Sequence, residues 1–247
     1  MTPEPLKYRM KYDYHTHTTY SHGKGSIEDN VREACRKGLR GIAISDHGPG
    51  HLLYGIDRKK IPEMRGEIER LKTAFVGMEI FFSVEANIIN SGSGLDLTET
   101  ERKDYDFVIA GYHYGVRNGY CAENFMYSHN PARLLAGKKL ANKNTDMAVK
   151  AIYGNPIRIF THPGDKAPVD IFEIAKACAE NGTYFEINDS HRHLNADELR
   201  IAAGTDVEFV VSSDAHSPER VGSCAAAIGK ALEAGIDIGR IVNIEEC

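Results

Sequence analysis

Seven short runs of β-branched and aromatic residues, near 12–15, 40–45, 79–85, 106–111, 157–161, 183–187 and 208–213, alternate with stretches of helical periodicity. A strand that leads through a helix to the next strand returns by a right-handed crossover. The runs therefore belong to a mainly parallel sheet, either open and doubly wound or closed into a barrel. The helices are punctuated accordingly. Ser26 can cap a helix with Asp29 three residues on; Ile27, Val31, Ala34 and Cys35 then share a face, and Gly38 stops it. Ile171, Phe172, Ala175, Cys178 and Ala179 repeat the pattern up to Gly182, just before the run Thr183 to Ile187. The one long stretch without a pattern is 112–130. No Pro/Gly/Ser-rich linker or internal repeat divides the chain, so residues 1–247 read as a single domain, and 42% hydrophobic residues suffice for its core.

The net charge of -5 gives no general attraction for nucleic acid or for an anionic membrane. The N-terminus, Met1-Thr2-Pro3-Glu4-Pro5, lacks the basic start and apolar stretch of a signal peptide, and the apolar stretch from Phe75 to Ile89 is broken by Glu79 and Glu85. A cytoplasmic location with no membrane association is expected. The five cysteines (35, 121, 178, 224 and 247) are widely spaced without a C-x-x-C pair, and read as mostly buried reduced thiols.

Parallel α/β folds collect functional residues at the C-terminal ends of their strands. Here those ends carry His15-Thr16-His17, with His22 in the following loop; Ser45-Asp46-His47; Glu85; His113; His162; Asn188-Asp189; and Asp214-Ala215-His216. A single histidine is more often a satisfied core or surface residue than a ligand. An H-x-H at a strand end says more, because period-2 alternation points both rings to one side. Seven such coincidences along one sheet edge would set carboxylates against one another, and bound cations remove that conflict. Imidazole with carboxylate and no thiolate suits zinc, manganese or iron. Nine candidate ligands exceed what one ion can use, so two or three ions are implied.

These motifs, Asp13-Tyr14-His15-Thr16-His17, Ser45-Asp46-His47, Val84-Glu85-Ala86-Asn87, Gly111-Tyr112-His113, Thr161-His162-Pro163 and Ser213-Asp214-Ala215-His216, resemble the signature of the PHP (polymerase and histidinol phosphatase) family, closest to its small stand-alone YcdX-like phosphatase branch. The amidohydrolase barrel also opens with H-x-H and closes with Asp, but His22, His47 and His216 have no place in its pattern. The PHP resemblance implies a distorted (β/α)7 barrel and three divalent transition-metal ions, zinc first, with manganese and iron as alternatives. It also implies the ligand sets: His15, His17 and Asp214 for the first ion, His22, His47 and His216 for the second, and His113 and His162 for the third, with Glu85 bridging the first and third.

The expected activity is hydrolysis of a phosphate monoester of a small metabolite, such as a histidinol phosphate-like, sugar or nucleotide phosphate. A hydroxide activated by the ions would attack phosphorus in line. Asp46 is a candidate acceptor for a ligand imidazole, and Arg117 and Arg192 are candidates to clasp phosphate through paired N–H groups. The stretch from Tyr112 to Tyr127 and the segment His191-Arg192-His193 would form a rim. Lys138, Lys139 and Lys143 read as a solvated helix face. The alternatives are a phosphodiesterase or exonuclease, disfavoured by the acidic charge, and a non-catalytic metal- or metabolite-binding module. The partner is a small phosphorylated substrate, with homo-oligomerisation left open.

Overall fold

The structure, a computed structural model, describes residues 7–129, 137–191 and 193–247. The chain begins with β1 (Tyr8–Met10) and ends with β9 (Ile244–Glu246), which pair antiparallel. Between them run β2 (Tyr12–Asp13), β3 (Gly41–Ile44), β4 (Glu79–Asn87), β5 (Phe107–Gly111), β6 (Ile157–Phe160), β7 (Tyr184–Asn188) and β8 (Phe209–Ser212). These seven form one sheet in sequence order, every pairing parallel. Beyond the named strands, Thr16 bridges Ala215 in parallel, with His17 N donating to Ala215 O at 2.8 Å. The first and last strands thus meet at their C-terminal ends, and the sheet is a nearly closed, distorted (β/α)7 barrel.

Helices α1 (Ile27–Arg36), α2 (Ile61–Ala74), α3 (Glu99–Arg102), α4 (Cys121–His129), α5 (Gly137–Gly154), α6 (Ile171–Asn181), α7 (Ala196–Ala203) and α8 (Ala225–Ala234) fill the connections. The expected cap of α1 is present: Ser26 Oγ accepts from Asp29 N at 3.1 Å while the Asp29 carboxylate accepts from Ser26 N at 2.9 Å. Gly182 closes α6 in the left-handed conformation at φ 67°.

Strand alternation divides the apolar residues into two populations. Val108, Ala110, Phe160, Phe185, Ile187, Phe209 and Val211 join the large core between sheet and helices. Their strand neighbours Ile109, Ile159 and Val210 form a separate interior cluster with Tyr14, Phe107, Tyr184 and Val242. That plug fills the barrel interior with side chains, as small barrels require. The interior register that carries Tyr184 continues to Glu186 and Asn188, so polar groups top the plug at the C-terminal end.

Several expectations need correction. Residues 121–129, placed in an irregular stretch, form α4, whose apolar pattern is weak because Phe125 and Met126 are exposed. Cys35 and Phe172, assigned to buried helix faces, lie at the solvent edge of their stripes and are exposed. Only Cys178 among the cysteines is buried; Cys35 and Cys247 are exposed and Cys121 and Cys224 half-buried. The strands β1 and β9 went unrecognised because three residues carry too little periodicity.

Candidate metal centre

The barrel seam brings His15, His17, Asp214 and His216 to one place, although His17 and Asp214 lie 197 positions apart in sequence. Asp13 stitches the seam from below: its buried carboxylate accepts from Ser213 Oγ at 2.5 Å and from Gly222 N at 2.8 Å. Asp214 adopts a left-handed backbone at φ 49°, as does His162 at φ 31°, a strained conformation for residues with a Cβ and one concentrated at functional positions.

Glu85, fully buried at the end of β4, is the hub. Its carboxylate oxygens lie 2.8 Å from His162 Nε2, 2.9 Å from His47 Nδ1, 3.3 Å from His15 Nε2, 3.3 Å from His113 Nε2 and 3.7 Å from His17 Nε2. Asp214 Oδ1 lies 3.2 Å from His17 Nε2 and 3.6 Å from His15 Nε2. Three groups of donors are close enough to share an ion: His15, His17 and Asp214; His17, His47 and His216; and His47, Glu85 and His113. His22 stacks on His47 with ring centroids 4.8 Å apart and lies 4.2 Å from the His216 ring. His17 and Glu85 hold the centre together.

Electrostatics set these groups against each other. Burial, with His47 beside it, holds His17 well below its ordinary value. Burial likewise depresses His113 to about 3 and His22 to about 4. Burial also opposes charge on His15, but the Glu85, Asp214 and Glu186 carboxylates outweigh it and raise its pKa well above the usual range. Against its own burial, the imidazoles of His113 and His15 keep Glu85 ionised. His15 Nε2, both nitrogens of His17, His47 Nδ1, Glu85 Oε2, His113 Nδ1 and His162 Nδ1 are buried without a hydrogen-bond partner among the described residues. Unpartnered polar atoms in such density are costly in a protein interior, and divalent cations are partners that the histidines and carboxylates facing Glu85 fit.

The supporting residues differ in part from those expected. Glu186 was missed: His15 Nδ1 donates to its Oε1 at 2.7 Å, and His162 N donates to its Oε2 at 2.6 Å. The signal was present, since a carboxylate within the apolar run Tyr184-Phe185-Glu186-Ile187 must face a polar interior. Thr161, also missed, donates from Oγ1 to Glu85 Oε1 at 2.8 Å. Asp46 touches no imidazole with its carboxylate; it accepts from Thr18 N at 2.7 Å, Thr18 Oγ1 at 2.6 Å and Ser21 Oγ at 2.5 Å, and so shapes the loop that presents His22. Asn188 Nδ2 donates to Glu186 Oε2 at 3.0 Å, whereas Asp189 turns away and caps α8 by accepting from Ala226 N and Ala227 N.

The centre floors a cavity of about 370 Å³. Tyr114 and His191 belong to its wall as the expected rim, joined by His51, Tyr54 and Lys166, which sequence reasoning did not single out. Arg117 is exposed and away from that wall, and Arg192 lies outside the described residues. Tyr112 is buried, its hydroxyl accepting from Asn124 Nδ2 at 3.0 Å. Lys143 is paired with Glu123 at 2.7 Å rather than free for a ligand.

The model of the PHP domain matches residues 13–190, and that described as PHP-associated matches residues 192–235. A protein of Caldanaerobacter subterraneus subsp. tengcongensis named "probable phosphatase" is 36% identical over 90% of this chain and 83% of its own length. A "probable phosphatase" of Thermoanaerobacter sp. (strain X514) is 32% identical over 96% of this chain and 91% of its own. The crystal structure of histidinol phosphate phosphatase from Lactococcus lactis, complexed with zinc, L-histidinol and phosphate, shares the fold with a TM-score of 0.61 at 18% identity, over 92% of this chain and 95% of that one. No described helix is long and apolar enough to cross a membrane. The barrel, its histidine–carboxylate centre and these relatives together place the chain in the PHP family, as a metal-dependent phosphoesterase.

Proposed function

We propose that the chain hydrolyses the phosphate monoester of a small metabolite at a centre of three divalent transition-metal ions, zinc first and manganese or iron as alternatives. The observation that carries this reading is Glu85, a buried carboxylate within 2.8–3.7 Å of nitrogens from five histidines. His15, His17 and Asp214 would hold one ion, His47 and His216 with His17 or His22 a second, and His113 and His162 a third, with Glu85 between the first and third. Bound ions supply Lewis acidity toward phosphate oxygens and lower the pKa of a water from 15.7 toward about 7.

The chain's own groups do the rest. Glu186 fixes the His15 tautomer so that Nε2 faces the centre. Lys166 on the cavity wall places positive charge and N–H donors where phosphate oxygens would enter. A cavity of about 370 Å³ suits a small monoester, and among the described residues the wall offers no run of cations for a polymer backbone. A single-domain chain working in the cytoplasm is consistent with this chemistry.

The test is phosphate release by protein reconstituted separately with zinc, manganese or iron, on histidinol phosphate, sugar phosphates, nucleotides and short oligonucleotides. Histidinol phosphate heads the panel because the Lactococcus relative was crystallised with L-histidinol and phosphate. Release from small monoesters, weakly dependent on salt, is expected. Cleavage of oligonucleotides alone, falling steeply with salt, would replace the reading with a nuclease.

A further inference from the structure

Beside the centre, Asp165, His191 and His193 form a fourth group of metal-type donors whose ligand atoms lie within 4.8 Å of one another. They come from two loops: Asp165 follows β6, and His191 and His193 follow β7. His191 Nδ1 is 3.1 Å from Asp165 Oδ2, and His193 Nδ1 is 3.6 Å from Asp165 Oδ1. Two donors each about 2.0–2.1 Å from a zinc ion at the tetrahedral angle stand about 3.3 Å apart, between those two values.

The hydrogen-bond inventory leaves the same gap. Asp165 Oδ2 and both ring nitrogens of His193 are buried atoms without a hydrogen-bond partner among the described residues. His191 lies between two carboxylates, Nε2 3.0 Å from Asp214 Oδ2 and Nδ1 3.1 Å from Asp165 Oδ2, and gives up the proton on Nδ1 to serve as a ligand. Lys166 Nζ lies 3.3 Å from Asp165 Oδ2, its side chain about one-third exposed.

We infer that Asp165, His191 and His193 bind a further divalent transition-metal ion, outside the centre built on Glu85 and tied to it through the His191–Asp214 contact. Two imidazoles and one carboxylate make a site with positions open, and side-chain exposures of 17–24% let water or a ligand fill them. The ion adds positive charge on the side of the cavity wall formed by His191 and Lys166.

The test counts zinc per chain by atomic absorption after loading and dialysis, for the wild type, His193→Ala and Asp165→Asn, with circular dichroism and thermal melts to confirm folding. Both folded variants should hold one zinc fewer than the wild type, whatever the number bound elsewhere. In Lys166→Met the weakest-bound zinc should bind about tenfold more tightly, because a competing positive charge is gone. Undiminished zinc in both folded variants, or weaker zinc in Lys166→Met, overturns the inference. The readout is metal, so the result stands apart from whether the chain releases phosphate.

Discussion

Glu186 and His15, 171 positions apart in sequence, meet at 2.7 Å inside the barrel, Oε1 accepting from Nδ1. The contact fixes which nitrogen of His15 carries hydrogen and turns the other toward Glu85 and Asp214. Groups that orient a ligand in this way influence metal affinity strongly.

Glu186→Gln keeps the shape but allows its amide to present N–H where an acceptor is needed. Zinc affinity and phosphate release should both fall ~10–100-fold. Zinc titration and initial rates check this; unchanged affinity would reduce Glu186 to a structural acceptor for His162 N.

Asp46 organises the loop before His22 rather than an imidazole. Asp46→Ala removes an acceptor from Thr18 N, Thr18 Oγ1 and Ser21 Oγ, at a cost of about 1–3 kcal/mol for stranded buried donors. For a chain of this size about 2–4 °C of Tm goes with each kcal/mol. A lower Tm with looser zinc binding is expected, and a calorimetric scan with and without zinc measures both.

Asp13 acts on the seam. Asp13→Ala leaves Ser213 Oγ and Gly222 N without their acceptor and loosens the segment that leads into Asp214. Denaturant unfolding should show a loss of about 2–3 kcal/mol. A wild-type midpoint would mean that the backbone bridge between Thr16 and Ala215 closes the barrel unaided.

Metal loading displaces protons. In the metal-free chain the surrounding carboxylates raise His15 well above its ordinary pKa, so it is protonated at pH 7 and must lose that proton to become a ligand. His22 and His113, depressed to about 4 and about 3, are already neutral there and release none. Calorimetric zinc titrations in buffers of different ionisation enthalpy should therefore include release of the His15 proton at pH 7, beyond any from bound water or from other groups. His15→Gln should remove that proton from the balance.

The parts legible in sequence were those that repeat or terminate something. Ser26 with Asp29 and Gly182 mark helix ends through local hydrogen bonds and backbone preference, and both capped helices formed as read. The histidines and carboxylates at the strand ends were legible because a parallel sheet gathers those ends, and the structure brings the histidines, Glu85 and Asp214 together while Asp46 and Asp189 turn to other partners. What escaped depends on contacts distant in sequence. Glu186 sits inside an apolar run and reveals itself only when the barrel interior is known. The cluster of Asp165, His191 and His193 joins two loops whose approach no periodicity encodes. Phe172 and Cys35 show the converse limit: an apolar residue at the edge of a helical stripe faces solvent when the neighbouring element stops short of it.

The most direct test measures bound metal and phosphate release together in wild-type protein and in His17→Ala, since His17 belongs to two of the donor groups around Glu85. The expected result is a folded variant that has lost metal and whose monoester hydrolysis falls beyond the ~100-fold typical of supporting residues. Full metal content with full activity in His17→Ala would contradict a catalytic metal centre at this end of the barrel.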